Sequence, residues 1–151
     1  MIRIATITDR NLLKTMFTEF YDSDAVMHSI PQAYHETALD ELFSTSSRQR
    51  AYVLEDGKTP VGYALISEKF SHEAGGPELW VEELYLRETA RGKGFGSAFF
   101  RFLLETARKE GIARVRLEVE PENTRAAKLY ASLGFRPLPY HQMAWTPEGT
   151  V

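Results

Sequence analysis

The chain has 151 residues, of which 43% are hydrophobic and 26% charged, with a net charge of −3. That length fits one domain (residues 1–151) with a real core, and the acidic balance argues against a dedicated nucleic-acid binder, whose mark is a basic stripe. There is no cysteine, which excludes disulfides, thiolate metal sites and a catalytic thiol.

The opening "MIRIATITDRN" lacks a basic segment followed by an apolar one, so it does not read as a signal peptide. No apolar run approaches the roughly 20 residues of a spanning helix. The expectation is a soluble cytoplasmic protein with neither membrane nor nucleic acid as partner.

"MIRIATI" alternates and reads as a first strand. Thr8 or Asp9 is placed to cap a helix running to Tyr21, whose stripe is Leu12, Leu13, Met16, Phe17 and Phe20. A loop over 22–31 leads to a second helix over 32–47, with Ala38, Leu39, Leu42 and Phe43 on one face. Three strands follow, "RAYVLED", "TPVGYALISEKF" and "ELWVEELYL", the first two joined by an Asp56-Gly57 turn. Then come a glycine loop, a helix over 95–110, a strand "ARVRLEVE", a helix capped by Asn123 and stopped by Gly134, and a last strand "YHQMAWT". Antiparallel hairpins followed by a helical crossover predict an α/β (α+β) fold. It is one mixed, twisted sheet with helices on both faces.

The glycine loop follows a strand and opens a helix. Amide groups at such a helix start are unpaired and carry partial positive charge. Glycines let the backbone come close to an anion, and Arg91 and Lys93 add formal charge. The plainer reading is a tight turn whose glycines solve a steric problem. A P-loop needs a hydroxyl after Gly-Lys, but Gly92-Lys93 is followed by Gly94. The dinucleotide fingerprint needs a third glycine at position 97 or 99, where Ser97 and Phe99 stand.

The pattern present is R-x-x-G-x-G, at Arg91, Gly94 and Gly96, followed by Asn123, Tyr130, Gly134 and Phe135 in the spacing N-x6-Y-x3-G-F. With these motifs the chain resembles the GNAT superfamily of acetyl-CoA-dependent N-acetyltransferases, most strongly over 61–135, and in particular uncharacterised bacterial members. The resemblance implies a sheet of six to seven strands, split between the fourth and fifth. It implies that coenzyme A lies in that split. Its pyrophosphate would be held by the backbone of Gly92, Lys93, Gly94, Phe95, Gly96 and Ser97, with Arg91. The backbone of Leu84, Tyr85 and Leu86 would bond the pantetheine arm like an added strand. Asn123 would be both helix cap and partner of that arm. Arg125 and Lys128 either meet the phosphates or are plain solvated charges.

Two acids sit inside the strand "ELWVEELYL". Regular alternation puts Glu82 and Glu83 on opposite faces. A buried carboxylate must be paired, protonated or beside water. An alkyl amine with pKa about 10.4 must lose a proton before it attacks a thioester, and a carboxylate can accept it. Glu82 is the first candidate for this base, then Glu118, with Glu83 third. The alternative is that one of them pairs with Arg114, Arg116 or Arg125. By the resemblance, Tyr130 is the acid that protonates the departing thiolate; as a lone tyrosine it would read as core. A backbone N–H near Leu84 would stabilise the oxyanion.

His28, His35, His72 and His141 show no metal-ligand spacing, so no metal is expected. Tyr34, Trp80 and Tyr140 could line an acceptor pocket or lie in the core. The implied function is transfer of an acetyl group from acetyl-CoA to a primary amine of a small molecule or peptide, by direct attack. The alternative is a non-catalytic acyl-CoA-binding or sensing module. The acceptor is unassigned, and a homodimer is compatible with the sequence.

Overall fold

In the computed structural model, which describes residues 1–23, 26 and 28–149, the alternating segments of the first half pair into a ladder. The strands are β1 (Ile2–Ile4), β2 (Gln49–Asp56), β3 (Thr59–Ser71), β4 (Gly76–Leu86) and β5 (Arg114–Leu117). The helices are α1 (Arg10–Tyr21), α2 (Gln32–Leu42), α3 (Phe95–Lys109) and α4 (Thr124–Ser132). The strands form one sheet in the order β1-β2-β3-β4-β5, antiparallel except for the β4–β5 pair. The residues fall into two compact units, Met1–Glu118 with the sheet and α1 to α3, and Val119–Val151 with α4.

Alternation along β2 and β3 builds two cores. Ala51, Val53, Tyr63 and Leu65 face Leu13, Met16 and Phe17 of α1 and Leu39 and Leu42 of α2. Tyr52, one residue out of phase, meets Phe99 and Phe102 of α3 on the opposite face. The buried residues Phe99, Phe100, Leu103 and Ala107 recur at helical spacing, while Arg101, Glu105, Arg108 and Lys109 stay outside, as the stripe predicts. Helices on both faces of a mixed sheet is the expected architecture.

The differences from expectation are local. Among the described residues the sheet has five strands, where six to seven were expected. Among the described residues, 140–146 form no strand, and Tyr140, Met143 and Trp145 are exposed. Alternation is a local pattern, whereas a strand exists only within a ladder; Pro137, Pro139 and Pro147 flank the segment and supply no amide donors. β5 stops at Leu117 instead of running to position 120. α2 ends at Leu42, before the polar run 44–47, whose hydroxyl side chains compete for backbone bonds. The loop expected over 22–31 lies partly outside the described residues, at positions 24, 25 and 27. Asp9 precedes α1 but does not cap it through its side chain. Its carboxylate instead accepts two bonds from the Arg3 guanidinium, both at 2.9 Å, and one from the Thr6 amide at 2.8 Å.

Gly62 shows how closely β3 and β4 approach. A Cβ there would lie 2.3 Å from the Tyr85 carbonyl oxygen, a backbone atom that cannot swing aside. Gly62→Ala is expected to cost about 2 kcal/mol or more and to lower the melting midpoint by roughly 5 °C or more, read by thermal denaturation. A variant melting with the wild type would mean that the two strands run further apart.

Candidate functional site

The site begins with one irregular residue. In the β3–β4 ladder Leu65 pairs with Glu83 and the next residue, Ile66, pairs with Val81, so Glu82 is an extra residue, a β-bulge. The bulge breaks the alternation on which the opposite-face expectation rested. The Ser67 hydroxyl donates to Glu82, and the Tyr63 hydroxyl donates to Glu83. Ser67 and Tyr63 are four residues apart on one strand and share a face. Both carboxylates therefore turn to the α1/α2 side, and the expectation of opposite faces is corrected.

The bulge also marks the point where β4 loses a neighbour. β5 pairs with β4 only from Glu78 to Val81. Beyond that the split between the fourth and fifth strands opens. Which backbone groups face it follows from the ladder. The Arg87 amide donates to the Val61 carbonyl at 2.9 Å, so Arg87 turns its polar groups to β3. In an antiparallel pair this alternates, so Tyr85 also faces β3, while Leu84 and Leu86 present their amides and carbonyls to the open edge. The Arg91 Nε donates to the Leu86 carbonyl at 3.0 Å, which agrees with that direction. Of the three residues expected to line the coenzyme arm, Leu84 and Leu86 have the right backbone orientation. Tyr85 does not: its ring packs in the α1/α2 core and its hydroxyl donates to Glu19 at 3.2 Å.

The glycine loop stands at the far end of that edge. Gly92 and Gly94 have φ of 77° and 87°, a region that L side chains avoid. Gly94 is the residue before α3, and Ala98 is the first α3 amide bonded back to it, at 2.9 Å. The amides of Phe95, Gly96 and Ser97 thus precede the first helical bond and are open to an anion. A Cβ on Gly96 would meet only the Leu84 and Leu86 side chains, at 3.9 Å. Packing does not require a glycine there, so its missing side chain leaves space between the helix start and the open strand edge. Arg91 and Lys93 are exposed beside it. A cradle of free amides with two cations, next to an unpaired strand edge, suits a pyrophosphate carrying an extended arm.

Glu83 is the chemically distinctive acid. It is half-buried and accepts the Tyr21 hydroxyl at 2.7 Å and the Tyr63 hydroxyl at 2.6 Å. Burial pushes its carboxyl above the usual glutamate range; the two hydroxyl donors oppose this, and the neighbouring charge of Glu82 adds to it. Burial also raises both tyrosines, with Glu83 contributing. His35, buried on α2, has its ring centre 5.6 Å from that of Tyr21, the two planes tilted by 50°, and also acts electrostatically on Glu83. Glu82 is exposed, as is Glu118 beyond the end of β5. Arg114, a rival partner for these acids, is bonded to the fully buried Glu78 and to Glu73 instead. Tyr21, Tyr63 and His35 were not singled out from sequence as site residues. Tyr21 and Tyr63 lie 62 and 20 positions from Glu83, and no local pattern joins them.

In the second unit Asn123 caps α4, its side chain accepting the Ala126 amide at 3.1 Å. Gly134, at φ 92°, ends the helix turn, and the Phe135 amide donates to the Tyr130 carbonyl at 3.0 Å. The Tyr130 ring meets Phe135 edge-on with centroids 5.9 Å apart, and burial raises its hydroxyl above the usual tyrosine range.

A family model described as the Acetyltransferase (GNAT) family matches residues 13–135. Thialysine N-epsilon-acetyltransferase of Bos taurus is 34% identical over 82 residues, 54% of this chain and 48% of that protein. Mycothiol acetyltransferase of Jonesia denitrificans is 39% identical over 74 residues, 49% of this chain and 23% of that protein. The chain thus spans about half, or less, of the length of these curated relatives. Among solved structures, an integron cassette protein from the mobile metagenome of Cole Harbour Salt Marsh matches with a TM-score of 0.81 at 24% identity, covering 97% of this chain and 90% of that one. An aminoglycoside N-acetyltransferase in complex with CoA matches with a TM-score of 0.77 at 15% identity, covering 97% and 94%.

The two tyrosine bonds make the Glu83 titration a sensitive probe. Carboxyl-carbon NMR is expected to show Glu83 titrating above an ordinary glutamate. Tyr63→Phe should move it higher still, because the lost hydroxyl stabilised the charged form. A Glu83 that titrates with the exposed glutamates would remove the case for its burial.

Proposed function

This chain belongs to the GNAT acetyltransferase family, and from that premise we propose that it transfers an acetyl group from acetyl-CoA to a primary amine. The observation that carries the reading is the parting of β4 from β5 at Val81, beside a half-buried carboxyl of raised pKa and ahead of an anion cradle. In this reading the amides of residues 92–97, with Arg91 and Lys93, hold the pyrophosphate. Leu84 and Leu86 bond the pantetheine arm as an added strand would. Asn123 assists that arm. Both curated relatives named above are acetyltransferases by name, and the name of the first places the transfer on the epsilon nitrogen of thialysine, which supports the chemistry proposed here.

The step is a direct attack. The acceptor amine reaches the cleft mostly protonated, and a carboxylate takes its proton. From the sequence alone, Glu82 is the first candidate and Glu118 the second. We assign the role to Glu83, because its raised pKa gives a stronger base and its two tyrosine donors fix its orientation, while Glu82 and Glu118 are exposed. The amine nitrogen then bonds to the thioester carbon, and the Leu84 amide stabilises the oxyanion that forms. The C–S bond breaks as the amide forms, the nitrogen releases its second proton to solvent, and the thiolate takes a proton from the Tyr130 hydroxyl, which solvent then restores. The family motif N-x6-Y-x3-G-F carries the Tyr130 assignment.

Three outcomes test this. Free-thiol release from acetyl-CoA across an amine panel is the basic assay; coenzyme binding without thiol release would favour an acyl-CoA-binding module. Glu83→Gln is expected to lower kcat/KM by about 10²–10⁴ with the melting midpoint unchanged or raised, since a carboxyl whose folded pKa is raised costs stability once ionised. The acid limb of the wild-type rate profile should fall away through a pKa above the glutamate range and be lost in that variant. Tyr130→Phe should cut turnover while coenzyme affinity holds; equal losses in both would make Tyr130 a packing residue.

A further inference from the structure

Moving back along β4 from the bulge, the α1/α2 face of the sheet changes sign. Trp80 pairs with Ser67 on β3 and with Arg116 on β5. The Arg116 guanidinium lies 4.7 Å from the centre of the Trp80 ring, and the Lys69 ammonium lies 5.9 Å from it. Nearby, Glu78 is wholly buried and takes Arg114 as its hydrogen-bond donor, with Lys69 at 3.2 Å and Arg116 only at 3.9 Å. Arg114 also bridges to Glu73 at 3.1 Å. Three cations, Lys69, Arg114 and Arg116, thus face two carboxylates, Glu73 and Glu78. One positive charge is left over, and geometry gives it to Arg116.

Only 22% of the Arg116 side chain is exposed, yet among the described residues its guanidinium donates no hydrogen bond. Five N–H donors without an acceptor are costly in a half-buried place. The guanidinium lies over the Trp80 ring, a contact that attracts it through the ring face and leaves its N–H donors able to grip a carboxylate with two parallel bonds. On the same face, two or three residues further along β4, stand Glu82 and Glu83. Neither forms an ion pair among the described residues. Arg116 stands on the neighbouring strand opposite Trp80, about 4.8 Å to the side, so at about 3.3 Å of rise per residue its backbone is roughly 8–11 Å from those of the two acids. Opposite charges kept on one face and left unpaired with each other match a ligand that is itself dipolar.

We propose that Arg116, stacked on Trp80 and assisted by Lys69, receives a free carboxylate of the acceptor while Glu82 and Glu83 receive its amine. The acceptor class is then a diamino or ω-amino acid, whose reacting amine lies several carbons from its carboxylate. This deepens the acetyl-transfer reading and rests on it.

The test compares acceptors that differ only in the carboxylate: L-lysine against cadaverine and lysine amide, and L-ornithine against putrescine. The carboxylate-bearing member of each set is expected to have a kcat/KM higher by at least about tenfold. Arg116→Gln should abolish that preference and leave cadaverine within about twofold of wild type, and Arg116→Lys should restore part of it. Cadaverine equal to or better than lysine in the wild type, or an Arg116→Gln variant that lowers both alike, would overturn the inference and leave acetyl transfer standing. Calorimetric titration of lysine and cadaverine into the protein saturated with CoA reads the same preference without turnover. If no amine releases thiol, acetyl transfer fails, and a lysine preference in binding that Arg116→Gln removes upholds the carboxylate site, while equal binding overturns it.

Discussion

One extra residue in β4 sets the geometry on which the rest of the site depends. A bulge at Glu82 adds a residue opposite β3, increases the local twist, and coincides with the end of the pairing to β5. Two consequences follow from that residue. The backbone beyond it presents Leu84 and Leu86 to an edge that β5 leaves unpaired. The side chains at the bulge, Glu82 and Glu83, turn to a single face instead of straddling the sheet. An unpaired edge is ordinarily a liability, open to pairing with any other strand. Here it is short and lies next to a helix start rich in free amides. It suits an extended ligand with an anionic end better than it suits another strand.

Three acids of this chain show what separates a structural carboxylate from a reactive one. Asp9 is gripped by the Arg3 guanidinium and held down at about 2. Glu78 is wholly buried, and burial pushes its carboxyl up, but Arg114 and Lys69 outweigh that and hold it below the usual range. Glu83 is given hydroxyl donors in place of cations. Hydroxyls orient a carboxylate and satisfy its lone pairs, but they compensate its charge far less than a guanidinium does. Burial therefore wins, and the carboxyl stays above its ordinary range. Choosing tyrosine over arginine as the partner keeps Glu83 basic. The cost is borne by a core in which Tyr63 is fully buried against Phe17, 4.9 Å between ring centres.

Much of this was legible in the sequence because it is local. Helical stripes in α1 and α3, the Asp56-Gly57 turn, the Asn123 cap and the glycine loop are all written within a few residues of one another, and each formed where its pattern stands. What escaped depends on partners distant in the chain. A bulge is a mismatch between two strands, and neither strand records it alone. The segment Tyr21, Tyr63 and Glu83 share no spacing, because folding brings α1, β3 and β4 together. Asp9 has the composition of a cap, but Arg3 on the neighbouring strand takes its oxygens. The alternation at 140–146 is genuine, yet a strand needs a ladder to join.

The glycines of the loop divide by physical role, and the division bears on what α3 is for. Gly92 and Gly94 are needed by the backbone itself, because a side chain at positive φ is strained even with empty space around it. Gly96 sits in ordinary helical conformation and meets no clash. Neither the backbone nor the packing asks for it, so the reason for its bareness lies outside the folded chain, in whatever approaches the helix start. That start is held firmly. Phe99, Phe100 and Leu103 are buried within two turns of it, and Arg91 ties the preceding loop to the Leu86 carbonyl. A ligand bound there would find amides already aimed and little left to order. Preorganisation of this kind is what lets a few backbone donors hold a charged group against water.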